Sequence, residues 1–402
     1  MDDGKKKKRA IALAGGGPAA GLHIGVLAAL EEAGVEFDVF TLSCVGAWVG
    51  LVYNSREGPH RAEQTLQFFK KHCFREDASH DWFPINQGFA SDFQSMLKAY
   101  AAFGLSKDLN WGSLVLPHQI QKSLLQTWEL ATSPERWSAR EFNYWLLNDV
   151  LAVNPVTRFW TSLAYKSDIK GLSRIYYDDS PALADIFGEH EHEIAATKKS
   201  KVAQKRKQHE LLYGPRAPVI YHNAWRLPRE EEPGRMQLFH NAPAKGEYMR
   251  MDARSLCACS ALPFIEESVT IGDDEYTEGA LVDTVNFKNL LNQHSDLDEV
   301  WVNRIVDNKQ VRSAKGLHGS LSNLPMQFAA EVGENDVKLF RQHLLNQTRM
   351  KPRLVEIPIL DKTRVNFDWS HGNLMQGYRE GKFAAESLLA HDPRLKDSRR
   401  SP

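Results

Sequence analysis

Apolar and polar positions alternate in blocks along the first fifty residues. Arg9–Ala14 is apolar after its first residue and too short for a helix, so it reads as a buried strand. Ala19–Ala33 is apolar with few interruptions and long enough for several helical turns, and Gly34 stands in the C-cap role. Phe37–Leu42 reads as a second strand, and Cys44 to about Asn54 as a second helix, apolar on nearly every face and therefore central. Strand, helix, strand, helix at this spacing predicts a parallel sheet with helices packed on it. Further helices are expected over 120–131, 139–151, 324–345 and 374–389, and further strands over 218–225, 236–240, 300–306 and 353–358. The stretch 60–165, which carries Trp82, Trp111, Trp128, Trp137, Trp145 and Trp160, reads as a helical, aromatic-rich insertion. Residues 189–209 are polar and basic and read as exposed, and 392–402 as a frayed tail.

The N-terminus needs a separate reading, because Lys5–Arg9 is all basic and Ala10–Leu30 is apolar except for His23. That order resembles a signal peptide. The unbroken apolar run before Gly15 is only Ala10–Ala14, however, shorter than the ~7–15 residues of a signal core. Gly15-Gly16-Gly17-Pro18 would also break a spanning helix. No other stretch reaches the ~20 apolar residues that a span needs.

Composition narrows the function classes. The chain has 50 Lys+Arg against 51 Asp+Glu, so there is no basic excess for nucleic acid. A hydrophobic fraction of 42% excludes wholesale disorder. Four Cys in 402 residues exclude a disulfide scaffold and fit a reducing, cytoplasmic compartment.

Three short segments carry candidate chemistry. Gly15-Gly16-Gly17-Pro18-Ala19-Ala20-Gly21 lies between a strand and a helix, where exposed N–H groups suit a phosphate or a developing oxyanion. Leu42-Ser43-Cys44-Val45-Gly46-Ala47 lies at the next strand-to-helix turn, the layout of a nucleophile elbow with Cys44 at its tip. A thiol at a helix N-terminus is expected to have a lowered pKa. Tyr276-Thr277-Glu278-Gly279-Ala280 presents a carboxylate on a tight loop, where it can serve as base or orienter.

The three segments in this order resemble the patatin-like phospholipase family, with its G-G-G-x-x-G loop, G-x-S-x-G elbow and late D-G-A or D-G-G loop. The resemblance extends to Ile24–Glu31, to Cys259-Ser260-Ala261-Leu262-Pro263-Phe264, which is similar to an A-S-x-A-x-P-x-x-F element, and to Val282–Asn286. It covers about 9–55 and 215–305. It implies a three-layered α/β fold with a mainly parallel central sheet flanked by helices. The organisation expected is a basic segment at 1–8, a patatin-like domain over 9–310, a helical extension over 311–391 and a flexible tail.

This chain departs from the pattern at both catalytic positions. Cys44 stands where the family has Ser, and Glu278 where it has Asp; Leu42 replaces the first Gly of the elbow and Ala20 a common Gly. Both exchanges keep functional chemistry, since a thiol is a good nucleophile at neutral pH and asks less of its base. The resemblance implies acyl transfer from a lipid ester or thioester. Cys44 would attack the carbonyl, Glu278 would take or orient the thiol proton, and Gly15, Gly16 and Gly17 would form the oxyanion loop, with the N–H groups of Gly16 and Gly17 as donors. Gly46 and Gly279 would support the elbow and the acid loop. No cofactor or metal is implied. A catalytically silent module that binds lipid or a protein is the competing reading. Asp283 is an alternative acid, Ser43 an alternative nucleophile, and His23 is expected to pack.

The remaining signals are weaker. Glu189-His190-Glu191-His192 lacks the second cluster of a zinc site. Cys257-x-Cys259 is not a C-x-x-C pair and is read as packing. Lys5–Arg9 and Lys198–Lys207 could give peripheral contact with anionic lipid at ~1 kcal/mol per charge. The Gly loop lacks the G-K-[ST] of a nucleotide site. The aromatic stretch from Phe68 to Trp160 could line an acyl channel.

Overall fold

Parallel strands in the middle of a sheet are covered on both faces, so their side chains are apolar at every position rather than at alternate ones. Ala10–Leu13 meets that condition, and the strand Arg9–Leu13 is buried at all five positions. The computed structural model describes residues 7–78, 100–107, 109–166, 171–173, 180–188, 207–229, 232–242, 248–287, 290–311, 313, 317–346, 351–360, 368–392 and 395. Its strands in chain order are β1 (Arg9–Leu13), β2 (Val39–Leu42), β3 (Gly171–Ser173), β4 (Val219–Arg226), β5 (Arg235–His240), β6 (Met249–Arg250), β7 (Phe264–Glu266), β8 (Val269–Ile271), β9 (Asp274–Glu278), β10 (Glu299–Asn303) and β11 (Arg353–Glu356).

The chain forms two compact units, one of residues 1–90 with 174–402 and one of residues 91–173. The larger unit holds a nine-stranded sheet in the order β11-β10-β1-β2-β4-β5-β6, with β9 paired to β4 and β8 to β9. The run from β11 to β4 is parallel, and β5 and β9 pair antiparallel to β4. In this register Leu13, Leu42 and Asn303 stand side by side, so the loops that leave β1, β2 and β10 emerge together at the carboxyl edge. That edge is where open α/β sheets bind ligands. The labelled helices of this unit are α1 (Ala20–Glu32), α2 (Val45–Asn54), α3 (Arg61–His72), α4 (Ala253–Cys259), α5 (Leu317–Asn346) and α6 (His371–His391).

Helix α1 ends as its sequence indicates. Gly34 takes a left-handed φ of 70°, and Val35 N–H donates to the Leu30 carbonyl at 2.8 Å, closing a Schellman cap. Helices α1 and α6 approach until backbones touch. A methyl added at Gly21, Gly25 or Gly381 would lie 2.2, 2.0 or 2.2 Å from a carbonyl oxygen of the facing helix. Residues 311–391 are therefore not an appendage: β11 extends the central sheet and α6 covers α1. Helix α3 also belongs to this unit, with Ala62, Leu66, Phe68 and Phe69 in the core, so the expected insertion at 60–165 starts too early.

The second unit is helical, with helices at Trp111–Leu114, Pro117–Thr132, Ala139–Trp145 and Pro155–Lys166. Its own core is small, built from Phe103, Leu109, Leu114 and Leu163. Trp111, Trp128, Trp137 and Trp160 are exposed on this unit rather than gathered around a channel within it; Trp82 lies outside the described residues.

Two further expectations change. The apolar run at 300–306 leaves the sheet after Asn303, because Ile305 and Val306 turn to pack against Gly16. The described part of the basic N-terminal cluster is ion-paired within the chain rather than loose surface charge. Arg9 is buried and bonds Glu299 at 2.9 Å, Lys8 bonds Asp296 at 2.8 Å and Lys7 bonds Glu299 at 3.3 Å. These cations fasten β1 beside β10.

Candidate functional site

Cys44 caps α2 with φ 47° and ψ −121°, a conformation that L-residues adopt only when their surroundings enforce it. Neighbouring residues show how it is enforced. Ser43 N–H donates to the Leu13 carbonyl at 3.1 Å, and Gly46 N–H to the Ser43 carbonyl at 2.9 Å. At Gly46 an added methyl would lie 2.1 Å from the Leu13 oxygen, so only glycine lets α2 start this close to β1. Leu42, in place of the usual first glycine, is accommodated by Gly50, where a methyl would lie 2.6 Å from the Leu42 side chain. The turn thus holds Cys44 at the tip of a tight elbow, only partly covered from solvent.

The glycine loop borders this tip. A methyl on Gly15 would lie 3.2 Å from the Cys44 Cβ and 2.9 Å from that of Ala280. Gly15 belongs to the loop without being a donor in it: its N–H is taken by the Thr284 carbonyl at 3.1 Å. Gly16 and Gly17 N–H have no hydrogen-bond partner among the described residues. Gly17 sits at a left-handed φ of 52°, and Gly16 packs so tightly that a methyl would lie 2.8 Å from Ile305.

Glu278 closes the site from the end of β9, buried beside the Cys44 thiol. Gly279 follows, where a methyl would lie 2.9 Å from the Asn223 side chain. The segment Cys259–Phe264 ties nucleophile to acid. Cys44 N–H donates to the Cys259 sulfur at 3.1 Å, and the Ala261 carbonyl accepts Glu278 N–H at 2.9 Å and Thr277 Oγ1–H at 2.6 Å.

The electrostatics correct one expectation. The Cys44 thiol is pushed well above its ordinary range, not lowered. Burial is the largest cause and the adjoining Glu278 carboxylate the next; the Val45 N–H aimed at the sulfur acts the other way and is outweighed. Burial also pushes Glu278 up to about 7, partly offset by the neighbouring Cys44 thiol. Near neutrality the pair is a protonated thiol beside a partly ionised carboxyl, not a thiolate ion pair.

The alternative residues are accounted for by other contacts. Ser43 is fully buried and donates to Asn223 Oδ1 at 2.8 Å, facing away from the elbow tip. Asp283 holds its own loop, accepting Asn286 N–H at 2.6 Å. His23 is buried, with Nε2–H donating to the Ala14 carbonyl at 2.8 Å while Nδ1 accepts from Asn303 at 2.9 Å; burial lowers its pKa to about 4, so it packs as a neutral ring just before the glycine loop. Cys257 is buried on α4. Glu189–His192 and most of Lys198–Lys207 lie outside the described residues. Among the described residues no cluster could hold a metal ion, and no helix is long and apolar enough to cross a membrane. Two surface hollows, of about 660 and 380 Å³, lie beside Lys8, Asp38 and Arg61, and neither is lined by Cys44 or Glu278.

Sequence reasoning missed the supports of the acid loop. Asn223 Nδ2–H donates to the Asp283 carbonyl at 2.8 Å, and Asp336 on α5 accepts Thr284 and Val285 N–H at 2.8 and 3.2 Å. A polar residue in a buried strand was the only available signal for Asn223. Asp336 gave none, since an acid on a half-exposed helix is ordinary.

The family model described as patatin-like phospholipase matches residues 11–291. No curated protein sequence matches. Among solved structures, VipD from Legionella pneumophila is similar at a TM-score of 0.34 with 9% identity, over 98% of this chain and 71% of that one, too distant to bear on activity.

Proposed function

Because the chain belongs to the patatin-like phospholipase family, we propose that it is a lipid acyl hydrolase or acyltransferase that works through a Cys44–Glu278 dyad and a thioester acyl-enzyme. The observation that carries this reading is the Cys44 thiol, held at a strained elbow with the buried Glu278 carboxyl beside it. A decayed site would have no need of that conformation, which costs on the order of 1–3 kcal/mol.

The chemistry follows from the ionisation states. Since the thiol holds its proton more tightly than usual, it is not a standing thiolate; the proton passes to the Glu278 carboxylate as sulfur attacks the acyl carbon. A carboxyl with a pKa of about 7 is suited to take that proton and then return it to the leaving alcohol or thiol. The developing oxyanion is met by the N–H groups of Gly16 and Gly17. Water or another acceptor, deprotonated by Glu278, then releases the acyl group. A thioester is more reactive toward amines and thiols than an oxygen ester, so transfer competes with hydrolysis. Four free thiols fit a reducing compartment.

Turnover of fatty-acyl thioesters and esters by wild type and Cys44→Ala tests the reading. We expect Cys44→Ala to lose at least about 10³-fold in kcat with little change in lipid affinity. An inert wild type that still binds lipid would favour a silent lipid-binding module.

A further inference from the structure

Two of the four cysteines meet at the site. Cys44 begins α2 and Cys259 ends α4, and the Cys44 N–H points at the Cys259 sulfur from 3.1 Å. With that contact fixed, bond lengths limit the separation of the two Cα atoms to at most about 7 Å, the range that a disulfide bridges after small side-chain rotations. Cys44 is partly open to solvent, whereas Cys259 is fully buried behind it. The other thiols are placed differently. Cys73 is buried at the C-terminal end of α3, and Cys257, two residues earlier on α4, faces away from Cys259 around the helix.

We propose that Cys44 and Cys259 form an oxidation site for hydroperoxides, in which Cys44 is the thiol oxidised first and Cys259 resolves it into a disulfide. Cys44 sulfur attacks the distal oxygen of ROOH and the O–O bond breaks. The thiol proton passes through Glu278 to the leaving alkoxide, giving Cys44–SOH and ROH. Cys259 sulfur then attacks the Cys44 sulfur, the S–O bond breaks, and hydroxide leaves as water with the Cys259 proton. Each sulfur loses one electron, and the hydroperoxide gains two. The consequence for acyl transfer, a nucleophile reversibly withdrawn, rests on the reading of Cys44 above. Formation of the bond does not.

The test uses the full chain, hydrogen peroxide and cumene hydroperoxide, with mass as the readout. Oxidised wild type is expected to be about 2 Da lighter, to yield a peptide joining Cys44 to Cys259, and to return to its starting mass with dithiothreitol. In Cys259→Ala, Cys44 is expected to gain about 32 Da as the sulfinic acid, which dithiothreitol does not reverse. Sulfinic acid at Cys44 in wild type, with Cys259 still open to alkylation after denaturation, would overturn the proposal. Should Cys259→Ala fail to fold, the wild-type peptide map decides alone. Because activity is not read, an inert enzyme with the disulfide and an active one without it are distinguishable.

Discussion

At the scale of single residues, the site is governed by burial more than by helix ends. A cysteine at a helix N-terminus suggests an acidified thiol, but here desolvation and the Glu278 charge raise it. Glu278 supplies a clear pH prediction. Its pKa rises from an ordinary 4.5 to about 7, so the base is ionised only above that value, and kcat/KM is expected to climb through pH 7 to a plateau. The same shift links to stability. The folded state keeps the Glu278 proton up to about pH 7 while the unfolded chain releases it near 4.5, so this group favours folding most below 4.5 and loses that contribution as pH rises to 7. Glu278→Gln should therefore abolish turnover yet stabilise the fold at pH 8 by on the order of 3 kcal/mol, with no gain at pH 4. Thermal melts at the two pH values check this; equal changes at both would contradict it.

At the scale of elements, glycine is used for two separate reasons, close approach at Gly46 of the elbow and a left-handed backbone at Gly58 in the loop between α2 and α3, and variants can tell them apart. Gly46→Ala places a methyl 2.1 Å from a backbone oxygen that cannot move, and we expect a loss above about 4 kcal/mol or no folded protein. Gly58→Ala puts the same methyl into open space at a φ of 75°, and should cost only about 1 kcal/mol. Denaturant melts of the two compare steric and conformational cost directly. The elements around the site were legible because strand, glycine turn and helix each leave a local signature. β1, β2, α1 and α2 follow from apolar runs closed by Gly34 and the elbow. The ends of strands were less legible: Ile305 and Val306 are as apolar as a strand but are used to pack the glycine loop, and composition cannot separate those two uses. The support of Thr284 and Val285 by Asp336 joins residues about fifty positions apart and leaves no pattern in either segment.

At the scale of the whole molecule, the family match ends at residue 291, but the fold does not. β10 and β11 complete the sheet beside β1, Asp336 holds the acid loop, and Gly377 and Gly381 let α6 lie against α1. The sequence placed helix 374–389 correctly in kind but could not say what it covers, because a G-x-x-x-G spacing acquires meaning only beside a matching surface. Residues 1–310 alone are accordingly expected to be insoluble or molten, with near-UV circular dichroism lost. A truncated chain that melts cooperatively would show that α5, β11 and α6 are together dispensable.

The most direct test is the intact mass of wild type and Cys44→Ala after incubation with a fatty-acyl thioester. A dyad acting by covalent catalysis predicts one acyl adduct on wild type, removed by hydroxylamine at neutral pH, and none on the variant. Turnover by wild type with the adduct absent under rapid quench, or an adduct of equal yield on Cys44→Ala, would contradict the assignment of Cys44 as the nucleophile.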